Sequence, residues 1–460
     1  MKLFFAIVAV VCLTLYALAQ TTLPTAKQED HVVRLRWATD PNPARAVQTG
    51  LFNRTHPGIE VIVDPGLGGD QTKLIVQCAT GTGPDLIDLY SVQQTYTLVQ
   101  AGVLLDLTPF ASAMGFGPEN TYPALHGALV IEGKQYCFPC NAFGDAIIYN
   151  KAIFDDHGVP YPRQGWTYQD FIAASGRILH DPSKSGQKHY AFANYQNVGF
   201  VLNLLIGHGG HLFSPDGLTS KLDSPEAIAA MRLYDDMVHL HKVVPSAGEL
   251  AGLSSAGGWG NAGLNLFSDG RGAMICIGRW YIVQLQSYPG LGEHLASAPV
   301  PRVDGLGSMV VAGTRASGIN VRSPHRQEAM QFLQYLASPQ YGRLIVEDGD
   351  ALPPNPALAR SGKDLVNAVM PDPAFHQTFV DAMKNSRPLD TSPFIDANLV
   401  SQWAAERIEQ VENRIVGPED AMRSLAGEIN RKIRLDLQRR LDLQKKFQQV
   451  RGRPYTEDWK

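Results

Sequence analysis

The stretch from Gly133 to Phe154, GKQYCFPCNAFGDAIIYNKAIF, constrains this chain more than any other. It follows the turn Glu132-Gly133-Lys134 and passes through Tyr136, Phe138 and Pro139. Small and polar residues from Cys140 to Asp145 lead to the apolar run Ala146-Ile147-Ile148-Tyr149, closed by Asn150. Pro139 cannot donate a ladder hydrogen bond, so the first half suits an edge or a crossing segment. The β-branched second half reads as a strand, and Lys151 to His157 as a short helix stopped by Gly158. A strand that turns polar and glycine-bearing halfway is what a chain needs where it leaves one domain for another beside a wet cleft.

A chain of 460 residues is too long for one core and predicts two domains. With 44% hydrophobic and 18% charged residues it is globular, and a net charge of −4 offers no general attraction to nucleic acid or acidic lipid. Lys2, the apolar run Leu3 to Leu18 and the small-x-small site Ala17-Leu18-Ala19 predict a signal peptide, residues 1–19, cleaved after Ala19. Val11 before Cys12 is bulkier than the small residue a lipid-attachment site requires. Export would leave Cys78, Cys137, Cys140 and Cys276. Cys137-Phe138-Pro139-Cys140 has the redox spacing but sits in an extended, proline-bearing stretch, so a local disulfide or two buried thiols are the readings.

Taken in order, Val32 to Trp37 alternates as a strand and Ala44 to Asn53 reads as a helix. A second strand follows His56-Pro57-Gly58, a helix spans Asp70 to Thr80, and Asp85 to Tyr90 is a third strand. Strands alternating with helices imply a largely parallel sheet with its ligand crevice off the carboxyl ends of the strands. That rule puts Trp37 to Asp40 and Asp88 to Gln93 on one rim. Further helices are predicted at Thr167–His180 and Phe200–Gly207, and after Ser224-Pro225, where the serine caps and the proline takes the first helical position. His208 and His211 in GHGGH read as a glycine turn, without the further ligands a metal would need. Gly258 to Gly263 is a literal GxGxxG with no strand before it, so it reads as a cleft loop displaying Trp259.

Several segments carry a resemblance. Gly133, Tyr136, Pro139, Tyr149, Asn150, Lys151, Phe154 and Gly158 match "G-x-x-Y-x-x-P … Y-N-K-x-x-F … G". Phe267 to Trp280 matches "F-x-x-G-x-x-A-M-x-x-x-G-x-W", and Gly102 to Pro109 matches "G-x-L-x-D-L-T-P". With Trp166-Thr167, Ser317-Gly318-Ile319 and Ala329 to Leu336, these pieces resemble the extracellular solute-binding proteins of ABC sugar importers, the maltose-binding-protein-like family, from about Val32 to Ile433. Cys137 departs from the small residue usual there.

The resemblance implies an α/β, two-lobed periplasmic-binding-protein fold of class II type, each lobe a mainly parallel sheet flanked by helices, joined by a hinge. The lobes are expected at 30–142 with 317–352 and at 146–313 with 356–433, followed by a basic helical tail, 434–460. Crossings are expected at the opening stretch, near Ser317 and at Ala351-Leu352-Pro353-Pro354. The implied function is capture of a sugar by hinge closure and delivery to the membrane permease subunits of an ABC importer, by a periplasmic or extracellular monomer with no catalysis, cofactor or metal. Alternatives are a binder of a phosphorylated polyol, polyamine or other small solute, or a secreted carbohydrate-active enzyme. Aromatic planes match the C–H faces of sugars and charged groups match their hydroxyls. The candidate ligand residues are therefore Trp37, Asp40, Asp88, Tyr90, Asp145, Trp259, Arg279, Trp280 and Tyr281; the family's frequent sugar-stacking tryptophan carries over to Trp280. In the tail, Ile429, Ile433, Leu437 and Leu441 recur every four residues, predicting one continued helix with a solvated basic face or a face that docks on a partner. A chain stopped after Lys432 is then expected to keep its cleft intact.

Overall fold

The computed structural model describes residues 32–67, 71–181, 183–186, 189–193, 197–245, 262–288 and 290–459. The expected signal peptide and Trp259, with most of its glycine-rich stretch, lie outside them. No helix among the described residues is long and apolar enough to cross a membrane.

Strands are numbered along the chain. The first lobe is built on a five-stranded sheet in the order β2 (Ile59–Asp64), β1 (Val33–Ala38), β3 (Leu86–Leu89), β11 (Ala316–Ile319), β4 (Cys137–Pro139). β1 is parallel to β2 and β3, as βα units require, whereas β11 runs antiparallel to both its neighbours. Alternation along the strands feeds two cores. Leu35, Trp37 and Leu86 join Phe52 and Phe332 on one face, while Ile87 and Leu89 join Leu74 and Leu98 on the other. Helices Ala44–Thr55 and Arg326–Leu336 thus cover one face, and Gln71–Thr80 and Val92–Gln100 the other.

The second lobe carries the sheet β9 (Leu295–Ala298), β6 (Ala146–Asn150), β8 (Gly272–Ile277), β7 (Tyr190–Phe192). β6 and β8 are buried throughout, with Ile147 and Met274 facing one core and Ile148 and Ile275 the other. β6 is antiparallel to β8 and β9, because it enters this lobe from the other one rather than through a local helix. A small sheet, β12 (Ser386–Arg387), β10 (Val310–Gly313), β5 (Phe143–Gly144), stands beside it. The local start signals are realised: Ser224 accepts from the Ala227 amide ahead of Pro225–Asp235, and Thr167 and Asp170 form a reciprocal capping box.

The lobes are joined at three places. β4 runs into β5 and β10 runs into β11, so the same two chain segments pair antiparallel on both sides of the boundary. The third segment passes through Leu352, which exchanges both backbone hydrogen bonds with Ala142. Asn141 rivets all three: its Oδ1 accepts from the Arg315 amide at 3.0 Å, and its Nδ2 donates to Asp350 at 3.2 Å. The Thr314 hydroxyl donates to the Asn141 carbonyl at 2.6 Å.

Cys78, Cys137, Cys140 and Cys276 are all free and buried. Cys137 faces the core around Leu104 and Cys140 the core around Phe138, on opposite sides of the sheet, so the CxxC pair cannot meet. Burial pushes the Cys137 thiol up to about 12, which leaves it an unreactive apolar filler.

The tail differs from the expectation of one continuous solvated helix. Helix Pro418–Arg439 buries Ile429, Ile433 and Leu437, but Arg440 is extended (φ −115°, ψ 110°) and a new helix, Leu441–Arg451, folds back. That break takes Leu441 off the apolar stripe and leaves it 74% exposed; Leu443, Phe447 and Trp459 enter the second-lobe core instead. Much of the basic character is matched locally, Lys432 to Asp436, Arg440 to Asp442 and Arg451 to Asp216, while Lys446 reaches Glu132 of the first lobe. Stopping the chain after Lys432 would therefore strip apolar side chains from a core. Phe447→Ala is expected to cost about 3–5 kcal/mol of unfolding free energy, measured by urea denaturation; a loss within ~0.5 kcal/mol would return the tail to the solvent.

Candidate functional site

A cleft of about 350 Å³ lies where the two lobes meet. Its lining includes Asp40, Asn42, Arg45, Tyr90, Arg315 and Asp350 from the first lobe's side, and Asp145, Phe200, Asn203, Cys276 and Trp280 from the second, with Asn141 and Phe143 on the crossing between them. Asp40 and Tyr90 stand just past the carboxyl ends of β1 and β3, and Trp280 just past that of β8, where an α/β crevice is expected. The size falls within the roughly 300–1,000 Å³ of ordinary ligand sites. A second pocket of about 70 Å³, beside Leu205, Met231 and Leu425 of the second lobe, is smaller and lined mostly by apolar side chains.

The first-lobe wall is a buried charge network. Arg315 donates to Asp88 at 2.7 Å and to Asp350 at 3.3 Å; Arg45 donates to Asp350 at 2.6 Å and to Asp40 at 3.1 Å. Side-chain exposure is 3% or less for Arg45, Arg315, Asp88 and Asp350, so these pairs work at low dielectric. Burial alone would raise the Asp350 carboxyl, but Arg45 and Arg315 hold it well below the ordinary carboxylate range. Asp40 is lowered in the same way, burial opposing and Arg45 prevailing. The network fixes the rim, since Asp40 also accepts from the Tyr90 hydroxyl at 3.1 Å while its own amide donates back to that oxygen at 2.8 Å.

The second-lobe wall has one carboxylate, Asp145, which makes no ion pair among the described residues and accepts from Nδ2 of Asn203 at 2.9 Å. Oδ1 of Asn203 accepts from the Val311 amide, so the side-chain amide can present only its NH₂ to Asp145. Burial pushes the Asp145 carboxyl up, and the Asn203 bond opposes it. Two glycines seat the aromatic planes. A Cβ on Gly313 would lie 2.2 Å from the Phe143 ring, and one on Gly278 would lie 2.7 Å from the indole of Trp280.

Of the sequence-derived candidates, Asp40, Tyr90, Asp145 and Trp280 line the cleft. Four others do not. Trp37 is fully buried between sheet and helix, edge-on to Phe332 at 5.0 Å, and its indole donates to Asp88 at 2.7 Å. Asp88 spends its oxygens on that indole, on Thr39 and on Arg315. Arg279, Trp280 and Tyr281 form one 3-10 turn, in which successive side chains point about 120° apart, so one of the three faces the cleft. Arg279 turns inward to the carbonyls of Ala351, Leu365 and Val346 and to Nδ1 of His376, and Tyr281 turns to Ser268. Arg279 thus clamps the third crossing, where Ala351 has φ 66°. Trp259 lies outside the described residues. Sequence reasoning missed Arg45, Asn141, Asn203, Arg315 and Asp350. A usable signal existed for Asn141 and Asp350, since each sits in or next to a predicted crossing.

The family profile described as bacterial extracellular solute-binding protein matches residues 38–343. The diacetylchitobiose binding protein DasA of Streptomyces coelicolor is 24% identical over 383 residues, covering 79% of this chain and 80% of its own length. Among solved structures, the substrate-binding protein Lmo0181 from Listeria monocytogenes, in complex with cycloalternan, superposes with TM-score 0.74 at 22% identity, over 87% of this chain and 99% of that one. Maltose-bound MalE3 of T. maritima gives 0.71 at 20% identity, over 86% and 99%. These likenesses establish the two-lobed binding-protein fold.

The network sets two expectations. Arg315→Met leaves buried carboxylates uncompensated and should cost about 3–5 kcal/mol of stability; a cost below ~1 kcal/mol would mean the pairs are solvated. Because the folded-state pKa of Asp350 is depressed, its contribution is present above the unfolded value of about 4 and is lost as pH falls below it. Urea titrations between pH 5 and pH 2.5 should show wild-type stability falling more steeply than that of Asp350→Asn.

Proposed function

The chain belongs to the bacterial extracellular solute-binding protein family, and we propose that it captures a neutral sugar, mono- or oligosaccharide, by closing its lobes on it, and hands it to an ABC importer. One observation carries this reading. A single cleft is walled from both lobes by aromatic planes, Phe143, Phe200 and Trp280, and by polar groups already oriented by the protein, Asp40, Tyr90, Asp145 and Asn203. Apolar sugar faces stack on such planes, and sugar hydroxyls replace water on carboxylates and amides whose directions are set before binding. The sugars in the names of DasA, Lmo0181's complex and maltose-bound MalE3 support the same class of ligand.

Charge separates the rival ligands. Both guanidinium groups in the cleft are committed to carboxylates, and the one lining charge without an ion pair is negative. Among the described residues a phosphorylated polyol would therefore meet a carboxylate and no uncommitted cation. A polyamine would find one carboxylate whose ionisation burial already opposes. A neutral hydroxyl-rich ligand suits the arrangement best. The reading includes export with cleavage after Ala19, a monomeric protein, and docking on the permease subunits, with the ligand released chemically unchanged.

Thermal unfolding of the purified protein should shift upward with neutral sugars and not with phosphorylated sugars or polyamines, and the sugar recovered should be intact; product formed in excess over protein would establish catalysis instead. Trp280→Ala should weaken the best sugar by at least ~1 kcal/mol, about fivefold, with unchanged circular dichroism. A folded variant with wild-type affinity by calorimetry would remove Trp280 from the ligand surface.

A further inference from the structure

Away from the cleft, the second lobe holds a second cluster with ligand chemistry. Helix Lys151–His157 ends on Asp156 and His157, where Gly158 (φ 64°) takes the left-handed turn out of it. The chain returns beside this end with His189, one residue before β7. Nε2 of His157 faces Nδ1 of His189 at 3.0 Å, and Oδ2 of Asp156 lies 3.7 Å from that same Nδ1. Among the described residues these form a three-residue group whose ligating atoms all lie within 4.8 Å of one another. Both histidines are 8% exposed, and none of the three residues lines the cleft.

Without a metal, two neutral imidazoles facing each other share one proton; Nδ1 of His157, on the far side of its ring, is buried without a hydrogen-bond partner. What the geometry offers a metal is two ring nitrogens and a carboxylate oxygen gathered within 4.8 Å of one another. Ligands about 2.0–2.1 Å from a tetrahedral ion stand about 3.3 Å from each other. The observed 3.0 and 3.7 Å separations bracket that spacing. The carboxylate is held in place as well, its Oδ1 accepting from the Ser185 amide at 2.7 Å and its Oδ2 from the Ser185 hydroxyl at 2.8 Å.

We propose that Asp156, His157 and His189 form a binding site for one first-row divalent cation of the zinc type, tying the end of a second-lobe helix to the head of β7. Two imidazoles and one carboxylate are the donor set of zinc rather than of calcium or magnesium, which take oxygen ligands. Asp156 also borders an open surface hollow with Asp155, Lys184 and Glu293.

The test uses full-length protein purified without a polyhistidine tag, stripped with chelator and titrated with zinc chloride by calorimetry and thermal unfolding. One zinc per chain and a raised unfolding temperature are expected. His189→Gln and Asp156→Asn should each weaken binding at least ~10-fold, since even outer partners of a ligand are worth that much, while the exposed His180→Gln should not. Should His189→Gln fail to fold, Asp156→Asn, which keeps an oxygen for the Ser185 amide, decides the matter. Absence of stoichiometric zinc, or wild-type affinity in Asp156→Asn, overturns the site.

Discussion

The structure depends on a chain of buried ion pairs from Asp88 through Arg315, Asp350 and Arg45 to Asp40. Each member comes from a different part of the chain: a strand, the second crossing, the edge of the third crossing, a helix and the loop after β1. Ions that deep are tolerable only when every charge has a partner at close range, so the network demands that all five segments be in place together. It also decides what the cleft can present. Guanidinium groups that would otherwise seek an anionic ligand are already occupied, and the ligand surface is left to aromatic planes and oriented oxygen and amide groups.

The crossings convert that rigidity into a particular mobility. Two of them form one antiparallel ribbon that belongs to the first sheet at one end and to the small sheet at the other, and the third is bonded to its edge through Leu352. Asn141 holds the ribbon and the Asp350 segment together, and Arg279 holds the third crossing from the other lobe. The crossings thus make a narrow strip between two packed lobes, the arrangement of a hinge, and Asn398 of the second lobe also donates to Gln71 and Thr97 of the first. Lys446 adds a tie between the last helix and Glu132 of the first lobe.

Local signals in the sequence translated well, because their physics is local. Ser224-Pro225 and the Thr167–Asp170 box act within one turn, and the structure places helix starts there. The crossing at Pro139 was legible for a similar reason. Side-chain direction was harder. Arg279, Trp280 and Tyr281 are neighbours in sequence, and a 3-10 turn, which no periodicity announces over three residues, sends them to different places. Trp37 looked like a rim residue from its position at a strand end, but strand alternation turns it into the core that Phe332 completes. Arg45, Arg315 and Asp350 were invisible as a group, since Arg45 meets Asp350 and Arg315 meets Asp88 across hundreds of residues. The tail failed at one residue: the extended backbone of Arg440 shifts the apolar stripe from Leu441 to Leu443 and Phe447.

The position of β11 has a further consequence for how the molecule comes into being. It lies between β3 and β4 in the first sheet, yet it is the last of those strands to leave the ribosome, long after its two neighbours. Until it emerges, a nascent chain holds two strand edges with no partner, and Asp88 of the charge network lacks its Arg315. The leading segment is therefore unable to complete its fold as it is made, and the second lobe, whose cores take Phe375, Ile429 and Phe447, waits for chain that is made later still. A fragment ending before Ala316 is thus an open sheet rather than a domain.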